Sequence, residues 1–185
     1  MNLFDLCWAL WLLIWLVAGL RNKRTVRREN LASWALHMLP LMVAAVLLTA
    51  NRTPWAELQH EVLPYRPALY WIGLALTFGG LAFSLWARAY LGTNWSGSVQ
   101  VKADHELVRS GPYRWVRHPI YTGLLAAFLG SGLSLDQWRA VPAFALVLAG
   151  LWYKLRLEER WMIETFGDAY RDYRKHSRAL IPGIL

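Results

Sequence analysis

The amino-acid sequence predicts an all-α integral membrane protein with five transmembrane helices, folded as a single domain over residues 1–185. The chain is 56% hydrophobic, its apolar residues are collected into long runs, and its 20 Lys and Arg residues cluster at the ends of those runs. An excess of basic over acidic residues can indicate a nucleic-acid partner, but basic residues at the ends of apolar runs are typical of membrane proteins. The sequence therefore predicts contact with membrane lipid and no nucleic-acid partner.

Three of the predicted spans lie in residues 1–90. Residues 3–20 have Asp5 as their only charge and lack the basic start and small-residue cleavage site of a signal peptide, which predicts a retained helix. Residues 31–50 are long enough to cross roughly 30 Å of hydrocarbon. His37 within them is interpreted as a helix–helix hydrogen bond, with a functional role as the alternative. Residues 68–90 form the third span.

The last two spans are predicted over residues 119–133 and 138–155 as a helical hairpin. Residues 134–137 read Ser-Leu-Asp-Gln, a capping-box pattern that predicts the start of the fifth helix after a tight turn. Residues 154–166 continue with a helical pattern. Gly167 then breaks that pattern and Asp168 is expected to cap a short further helix.

The basic residues also predict an orientation. Sixteen of them lie in the first loop, the central loop and the tail, and three lie in the loops on the other side. The positive-inside rule then places the N-terminus outside and both the central loop and the C-terminus in the cytoplasm.

The central loop carries chemistry that topology alone does not require. Residues 104–123 hold two of the five histidines, three arginines and two tyrosines, and they end where a basic loop turns directly into an apolar helix. Pro119 suits the first turn of that helix, and the residue before a proline is pushed to extended geometry, so His118 is expected to stand off the helix end. Such an end suits an anionic ligand group.

A pair of adjacent carboxylates, Glu158 and Glu159, forms the second chemical region. One interpretation is an amphipathic surface helix with solvated charges. The other is that the pair neutralises the arginines of the central loop or binds a cationic ligand. No metal site is predicted, because Cys7 is the only cysteine and the histidines are scattered.

Two separated sequence blocks resemble the signature of the isoprenylcysteine carboxyl methyltransferase family, whose relatives are the membrane phospholipid N-methyltransferases. The first block is His105-Glu106-Leu107-Val108-x-x-Gly111-Pro112-Tyr113-x-x-Val116-Arg117-His118-Pro119-x-Tyr121-x-Gly123. The second is Glu158-Glu159, six residues, Phe166-Gly167-x-x-Tyr170-x-x-Tyr173, then Ile181-Pro182. The resemblance covers roughly the C-terminal 80 residues, from Asp104 to Pro182.

The resemblance implies S-adenosylmethionine as methyl donor and cofactor, held in a cytoplasmic pocket formed by the central loop and the C-terminal helices. Residues 91–185 would then be the methyl-donor-binding core. By position in the motifs, the implied donor contacts are His105, Val108, Gly111, Tyr113, His118, Pro119, Tyr121, Glu158 and Glu159. No G-x-G-x-x-G motif is present, so a donor site must be built from loops and helix ends.

Three basic residues are the predicted catalytic residues. Arg117 is expected to hold the two blocks together through the glutamates. In the family, an arginine on the helix before the paired glutamates is linked to the substrate carboxylate. Here both Lys154 and Arg156 are candidates for that role.

The expected acceptor is a lipophilic small molecule or lipidated compound, in the first place the carboxylate of a prenylated cysteine-type compound. A carboxylate is ionised at neutral pH and needs no general base. The alternatives are a phospholipid or other amine, which would need a base, and a non-catalytic membrane module that binds anionic lipid.

Overall fold

The computed structural model describes residues 2–20, 25–50, 55–62, 66–95, 98–102 and 106–181. The helices are α1 (Leu3–Gly19), α2 (Leu31–Thr49), α3 (Pro67–Leu91), α4 (Pro119–Leu135), α5 (Ala140–Phe166) and α6 (Asp168–His176). Two short strands are β1 (Thr25–Arg28) and β2 (Gln100–Lys102). Single turns of 3₁₀ helix occupy Ala56–Gln59, Gly92–Asn94 and Gly111–Arg114.

The protein is a helical, multi-pass integral membrane protein. Helices α2, α3 and α5 are long and apolar enough to cross a membrane, and α1 and α4 are apolar but shorter, at 17 residues each. A 17-residue helix is about 26 Å long, at the lower limit for a span. The number of crossings and the orientation stay predictions.

Glycines bring α3 and α4 into close contact. A Cβ atom at Gly73 would collide with the backbone of Gly130, and a Cβ atom at Gly80 would collide with the backbone of Gly123. The two helices therefore pack backbone against backbone, as small residues allow in membrane proteins. This contact positions the first turn of α4.

The predicted capping box at residues 134–137 is wrong. Helix α4 continues to Leu135 and ends at Asp136, whose φ of 49° lies in the left-handed region. Helix α5 begins at Ala140 without a side-chain cap hydrogen bond. A residue in the left-handed region ends a helix, so α4 ends at Asp136 and Ser134 lies in its last turn.

Helix α5 is one continuous helix of 27 residues. It includes both the predicted fifth span and the helical pattern of residues 154–166. Gly167, with φ of 53°, ends it and leads directly into α6. The paired glutamates therefore lie on the extension of a membrane helix.

A two-stranded antiparallel ribbon is the one sheet among the described residues, beside isolated β-bridges of Glu61 with Gln137 and of Val116 with Arg178. Strand β1, from the first loop, pairs with β2, from the central loop. Val99, next to β2, packs on Leu157 and Trp161 of α5. Arg27 stacks over Trp161 at 4.1 Å and pairs with Glu164 at 2.7 Å. The ribbon thus ties the first loop and the central loop to the same end of α5.

Candidate functional site

His118 stands at the entrance of α4, as the sequence predicts. It is the N-cap residue, with φ of −125° and ψ of 58°, and Pro119 follows in the first turn. Its imidazole is buried and stacks on the ring of Tyr121 with centroids 5.3 Å apart. The His118 N–H donates to the carbonyl of Ala179 at 3.0 Å, which attaches the C-terminal segment to the helix entrance.

The His118 ring lies between the two glutamates of α5. Its Nδ1 is 3.4 Å from Glu158 Oε2, and its Nε2 is 3.6 Å from Glu159 Oε1. The Tyr121 hydroxyl donates to Glu158 Oε1 at 2.6 Å. Burial alone would lower the pKa of His118, but the two carboxylates outweigh it and the pKa is raised. We call His118, Glu158 and Glu159 the motif cluster.

Arg117 joins the two sequence blocks through Glu159. Its Nε donates to Glu159 Oε1 at 2.6 Å, and its guanidinium also donates to the carbonyl of Ser177. Arg174 lies 3.4 Å from the other oxygen of Glu159. Arg117 and Glu159 have side chains only 8% exposed, so the interpretation of the glutamates as solvated surface charges is wrong for Glu159.

A cavity of about 130 Å³ opens beside the motif cluster. It is lined by residues of the central loop, α4, α5 and α6. Five predicted donor contacts lie in its wall: Val108, Tyr113, His118, Tyr121 and Glu158. We call this the donor cavity.

The other predicted donor contacts have different positions. Pro119 is buried beneath the cavity wall and Glu159 faces Arg117. Gly111 has φ of 57°, and a Cβ atom there would collide with the ring of Tyr90, so only glycine suits this turn. His105 lies outside the described residues.

Several residues of the donor cavity were not predicted from the sequence. They are Leu91, Asn94, Trp95, Val99, Glu106, Leu107, Ile120, Met162, Tyr170 and Tyr173. Tyr170 and Tyr173 could have been predicted as site residues, since both belong to the second sequence block and share a face of α6. No sequence pattern marks Asn94 or Trp95 as site residues, because they only follow the end of a membrane helix.

Helix α6 closes the donor cavity against the central loop. Tyr170 and Tyr173 are buried and pack edge to face, with centroids 5.9 Å apart. The Tyr173 hydroxyl donates to the carbonyl of Tyr113, and burial raises the pKa of Tyr173 to about 12. The tail is therefore part of the site and not a solvated appendage.

The structure separates the two candidate acceptor-binding cations on α5. Lys154 is buried, with Nζ 5.6 Å from the centroid of the Tyr121 ring. Arg156 is exposed and stacks over Trp152 at 4.7 Å. Only Lys154 points toward the interior.

Lys154 lines a second cavity, of about 180 Å³, between α1, α2, α4 and α5. Its walls are Trp11, Trp15, His37, Met38, Leu41, Trp95, Ile120, Tyr121, Leu124, Gly150, Leu151 and Lys154. Three of these, Trp95, Ile120 and Tyr121, also line the donor cavity. Two neighbouring cavities therefore share one wall, the first rich in polar groups and the second mostly apolar.

The donor cavity fits the chemistry of S-adenosylmethionine. Glu158 offers a carboxylate to a cationic group, and aromatic rings can stack on a base or face a sulfonium. Asn94 Oδ1 is buried without a hydrogen-bond partner in the described part of the chain. A buried acceptor without a partner is costly, and a ligand donor would satisfy it.

Comparison with known proteins agrees with this geometry. Residues 68–169 match a family model described as phospholipid methyltransferase, which is more than half of the chain. Together with the helical fold, this match places the chain in a family of integral membrane proteins described as methyltransferases.

The chain belongs to this phospholipid methyltransferase family and is similar to isoprenylcysteine carboxyl methyltransferases. A solved structure of a eukaryotic intramembrane Ras methyltransferase of that name aligns with a TM-score of 0.57 and 26% identity, over 83% of this chain and 50% of the other.

Curated relatives carry two different printed activities. A protein-S-isoprenylcysteine O-methyltransferase from Tribolium castaneum is 31% identical over 70% of this chain and 49% of its own length. A methanethiol S-methyltransferase from Mycobacterium tuberculosis is 32% identical over 62% of this chain and 47% of its own length. The chain thus spans about half the length of these relatives.

Proposed function

We propose that this protein transfers a methyl group from S-adenosylmethionine to a lipophilic acceptor, in the first place to the carboxylate of a prenylated cysteine-type compound. The observation that carries the proposal is the pair of cavities with a common wall. One cavity presents the motif cluster and the other presents Lys154 among apolar side chains.

The donor would be held by residues of the donor cavity. S-adenosylmethionine supplies a methyl group already activated by the sulfonium charge. Glu158, held by Tyr121 and His118, would attract the cationic end of the donor, and Tyr113 and Tyr170 would enclose it. Arg117 would act by positioning, because its guanidinium is committed to Glu159 and to the C-terminal segment.

The acceptor would lie in the second cavity. A carboxylate is ionised at neutral pH, so the protein has only to hold it in line, neutralise part of its charge and exclude water. Lys154 would bind the carboxylate, and the tryptophans of α1 would contact the lipid portion, which would enter from the bilayer between helices. We propose that the donor enters from the cytoplasmic side.

Two alternatives come from the same features. A phospholipid or other amine acceptor is favoured by the description of the family model, but an amine must lose its proton before it can react. A non-catalytic module that binds anionic lipid is favoured by the basic loops alone. Binding of S-adenosylmethionine distinguishes this non-catalytic module from a methyltransferase of either acceptor class.

The test is calorimetric titration of the detergent-purified protein with S-adenosylmethionine and with S-adenosylhomocysteine. Glu158→Gln should weaken binding of the donor about 10- to 100-fold, the value of a charge-assisted hydrogen bond. Glu164→Gln, an exposed glutamate on the same helix, is the matched control and should bind like the wild type. Absence of donor binding by well-folded protein would refute the proposal.

An acceptor panel then tests the finer assignment. Radiolabelled methyl transferred to N-acetyl-S-farnesylcysteine should be released by mild base, because a methyl ester hydrolyses. Label that resists base would instead indicate transfer to nitrogen or sulfur.

A further inference from the structure

A second histidine–glutamate group lies at the start of α2, outside both sequence blocks. Glu29 Oε1 accepts hydrogen bonds from the Val99 N–H at 2.8 Å and from His37 at 2.9 Å. The Ser33 hydroxyl donates to Glu29 Oε2 at 2.7 Å. The Glu29 and His37 side chains are each only 1% exposed. We call Glu29, Ser33 and His37 the ribbon cluster, because Val99 adjoins the two-stranded ribbon.

The hydrogen bonds determine which nitrogen of His37 carries a proton. Burial works to raise the pKa of Glu29, but the bonds from Val99, Ser33 and His37 outweigh it and lower the pKa. Glu29 is therefore an ionised acceptor, and His37 Nε2 must be the donor to it. In the neutral ring the other nitrogen, Nδ1, then carries a lone pair.

His37 Nδ1 is buried and has no hydrogen-bond partner among the residues that the structure describes. His37 is also part of the wall of the second cavity, and Lys154 is the other basic side chain there. The cavity therefore combines an oriented imidazole with a cation, on the side where the acceptor is proposed to bind.

The charges of this cavity select the chemistry of the acceptor. A carboxylate has no proton to lose, so it does not need a base. An ammonium would be repelled by Lys154 and would lose its hydration in the apolar cavity. A thiol enters neutral at low cost and, once ionised, is stabilised by a nearby lysine.

We propose that His37, oriented by Glu29, is the general base that deprotonates a lipophilic thiol bound in the second cavity. The proposal rests on the proposed function for the methyl donor. The thiol proton passes to His37 Nδ1, and the thiolate sulfur forms a bond to the donor methyl carbon. The bond from that carbon to the sulfonium sulfur breaks, its electron pair stays on that sulfur, and the products are a methyl thioether and S-adenosylhomocysteine.

Proton transfer to His37 changes the charge of the ribbon cluster. It converts a buried anion, Glu29 with a neutral ring, into an ion pair without net charge. The other titratable or charged groups around His37 are Tyr153, which stacks on the ring at 6.5 Å, and Lys154 and Tyr121 across the cavity. All of them remain in place in the variants below.

The first experiment compares His37→Gln with the wild type on 1-octanethiol and on N-acetyl-S-farnesylcysteine. Glutamine keeps an N–H donor for Glu29 but is not a base. The variant should lose about 10²- to 10⁴-fold in kcat for the thiol, the usual contribution of a general base, and at least tenfold less in kcat for the carboxylate, which needs no base. His60→Gln, the same substitution at an exposed histidine, should leave both rates unchanged.

Binding measurements separate the base from a structural role. Donor affinity by calorimetry and octanethiol affinity by quenching of tryptophan fluorescence should each stay within threefold in His37→Gln. Glu29→Gln should lower kcat for the thiol without raising its KM, as expected of a positioning residue. An equal loss of both transfers, with a raised KM for the carboxylate, would overturn the proposal and make His37 an anchor for the carboxylate.

The pH profile of the wild type gives a test that needs no variant. With a base in the site, kcat/KM for octanethiol should rise by much less than tenfold per pH unit between about pH 7 and 9. An alkanethiol is mostly neutral there, because its pKa lies above the cysteine value of about 8.5. A tenfold rise per pH unit would mean that only thiolate formed in solution reacts, and would exclude His37 as the base. In His37→Gln the deficit should shrink as the pH approaches the thiol pKa.

The outcomes distinguish this inference from the proposed function. Donor binding and carboxylate methylation without thiol methylation would refute the inference alone. Failure to bind donor would refute the proposed function. Thiol methylation lost selectively in His37→Gln, with donor binding kept, is the result expected if both are correct.

Discussion

The two buried histidine–glutamate clusters of this protein differ in the number of carboxylates around the ring. In the motif cluster, each ring nitrogen of His118 faces a carboxylate, and Arg117 and Arg174 balance the negative charge. In the ribbon cluster, His37 uses one nitrogen for Glu29, and the other faces a cavity wall without a partner in the described residues. His118 Nε2, 3.6 Å from Glu159, also makes no hydrogen bond in the described part of the chain, but it still faces a carboxylate. Two carboxylates hold a charged ring in place, whereas His37 has one carboxylate and its second nitrogen has no ion-pair partner among the described residues.

Their places in the chain differ as well. The motif cluster joins α4 to α5 over a separation of about 40 residues and carries the family signature. The ribbon cluster joins the start of α2 to the segment before β2 through the contact of Glu29 with Val99. We infer that the first cluster supports the fold of the donor site, and that the second tunes chemistry at the acceptor. The predictions below test this difference, from the largest expected effect to the smallest.

Arg117→Ala should have the largest effect on stability. It leaves Glu159 buried without its main partner, and breaking a buried pair in this way costs about 3–5 kcal/mol. Thermal unfolding in detergent, followed by circular dichroism, should show a large drop in melting temperature. Arg109→Ala is the control, since its guanidinium is exposed and bonds one carbonyl. Equal melting temperatures for Arg117→Ala and wild type would refute a structural role for the motif cluster.

Ser33→Ala should have a smaller effect, confined to the ribbon cluster. It removes one charge-assisted hydrogen bond of Glu29 and should cost about 1–2 kcal/mol of stability, while donor affinity stays unchanged. Thermal unfolding and calorimetric titration of the same preparation check both parts. A loss of donor affinity would show that the two clusters are coupled and would weaken the distinction between them.

The pH dependence of stability should come in part from His118. Its pKa in the folded state is raised by Glu158 and Glu159, so its contribution is fully present below about pH 6.5, the pKa of free histidine. The contribution is lost as the pH rises through the raised folded pKa. The melting temperature of the wild type should therefore fall over that interval more steeply than that of His118→Gln. Parallel curves would mean that His118 is not charged in its cluster.

Arg156→Gln should have the smallest effect, because the side chain is exposed and lies away from both cavities. Stability should change by less than about 0.5 kcal/mol and the KM for the acceptor should not change. Lys154→Gln, two residues earlier, should raise the KM for a farnesylated carboxylate about tenfold or more. A steady-state comparison of the two variants decides which cation binds the acceptor, and the reverse result would assign that role to Arg156.

Local patterns in the sequence were sufficient for the helices and for half of the site. Long apolar runs predict α1 to α4 to within a few residues, because the length of an apolar run is a local property of the sequence. For α5 the apolar run of residues 138–155 is too short by eleven residues, and the helical pattern of residues 154–166 supplies the remainder. Pro119 and Gly167 mark helix ends for equally local reasons of backbone geometry. The two sequence blocks identified His118, Tyr121 and Glu158 as residues that meet, and the structure brings them together.

The remaining features of the fold and of the site depend on tertiary contacts and could not be predicted from local sequence patterns. The pairing of β1 with β2 joins segments more than 70 residues apart, and no pattern in two short basic loops predicts it. The capping pattern at residues 134–137 predicts the start of a helix, but Asp136 ends α4 instead. The turn into α5 requires a residue in the left-handed region at this position. The choice of Lys154 over Arg156 as the inward cation depends on which face of α5 meets α4. The unpaired nitrogen of His37 has the same origin. Its environment is assembled by helix packing, and only that packing shows that Nε2 meets Glu29 while Nδ1 has no hydrogen-bond partner among the described residues.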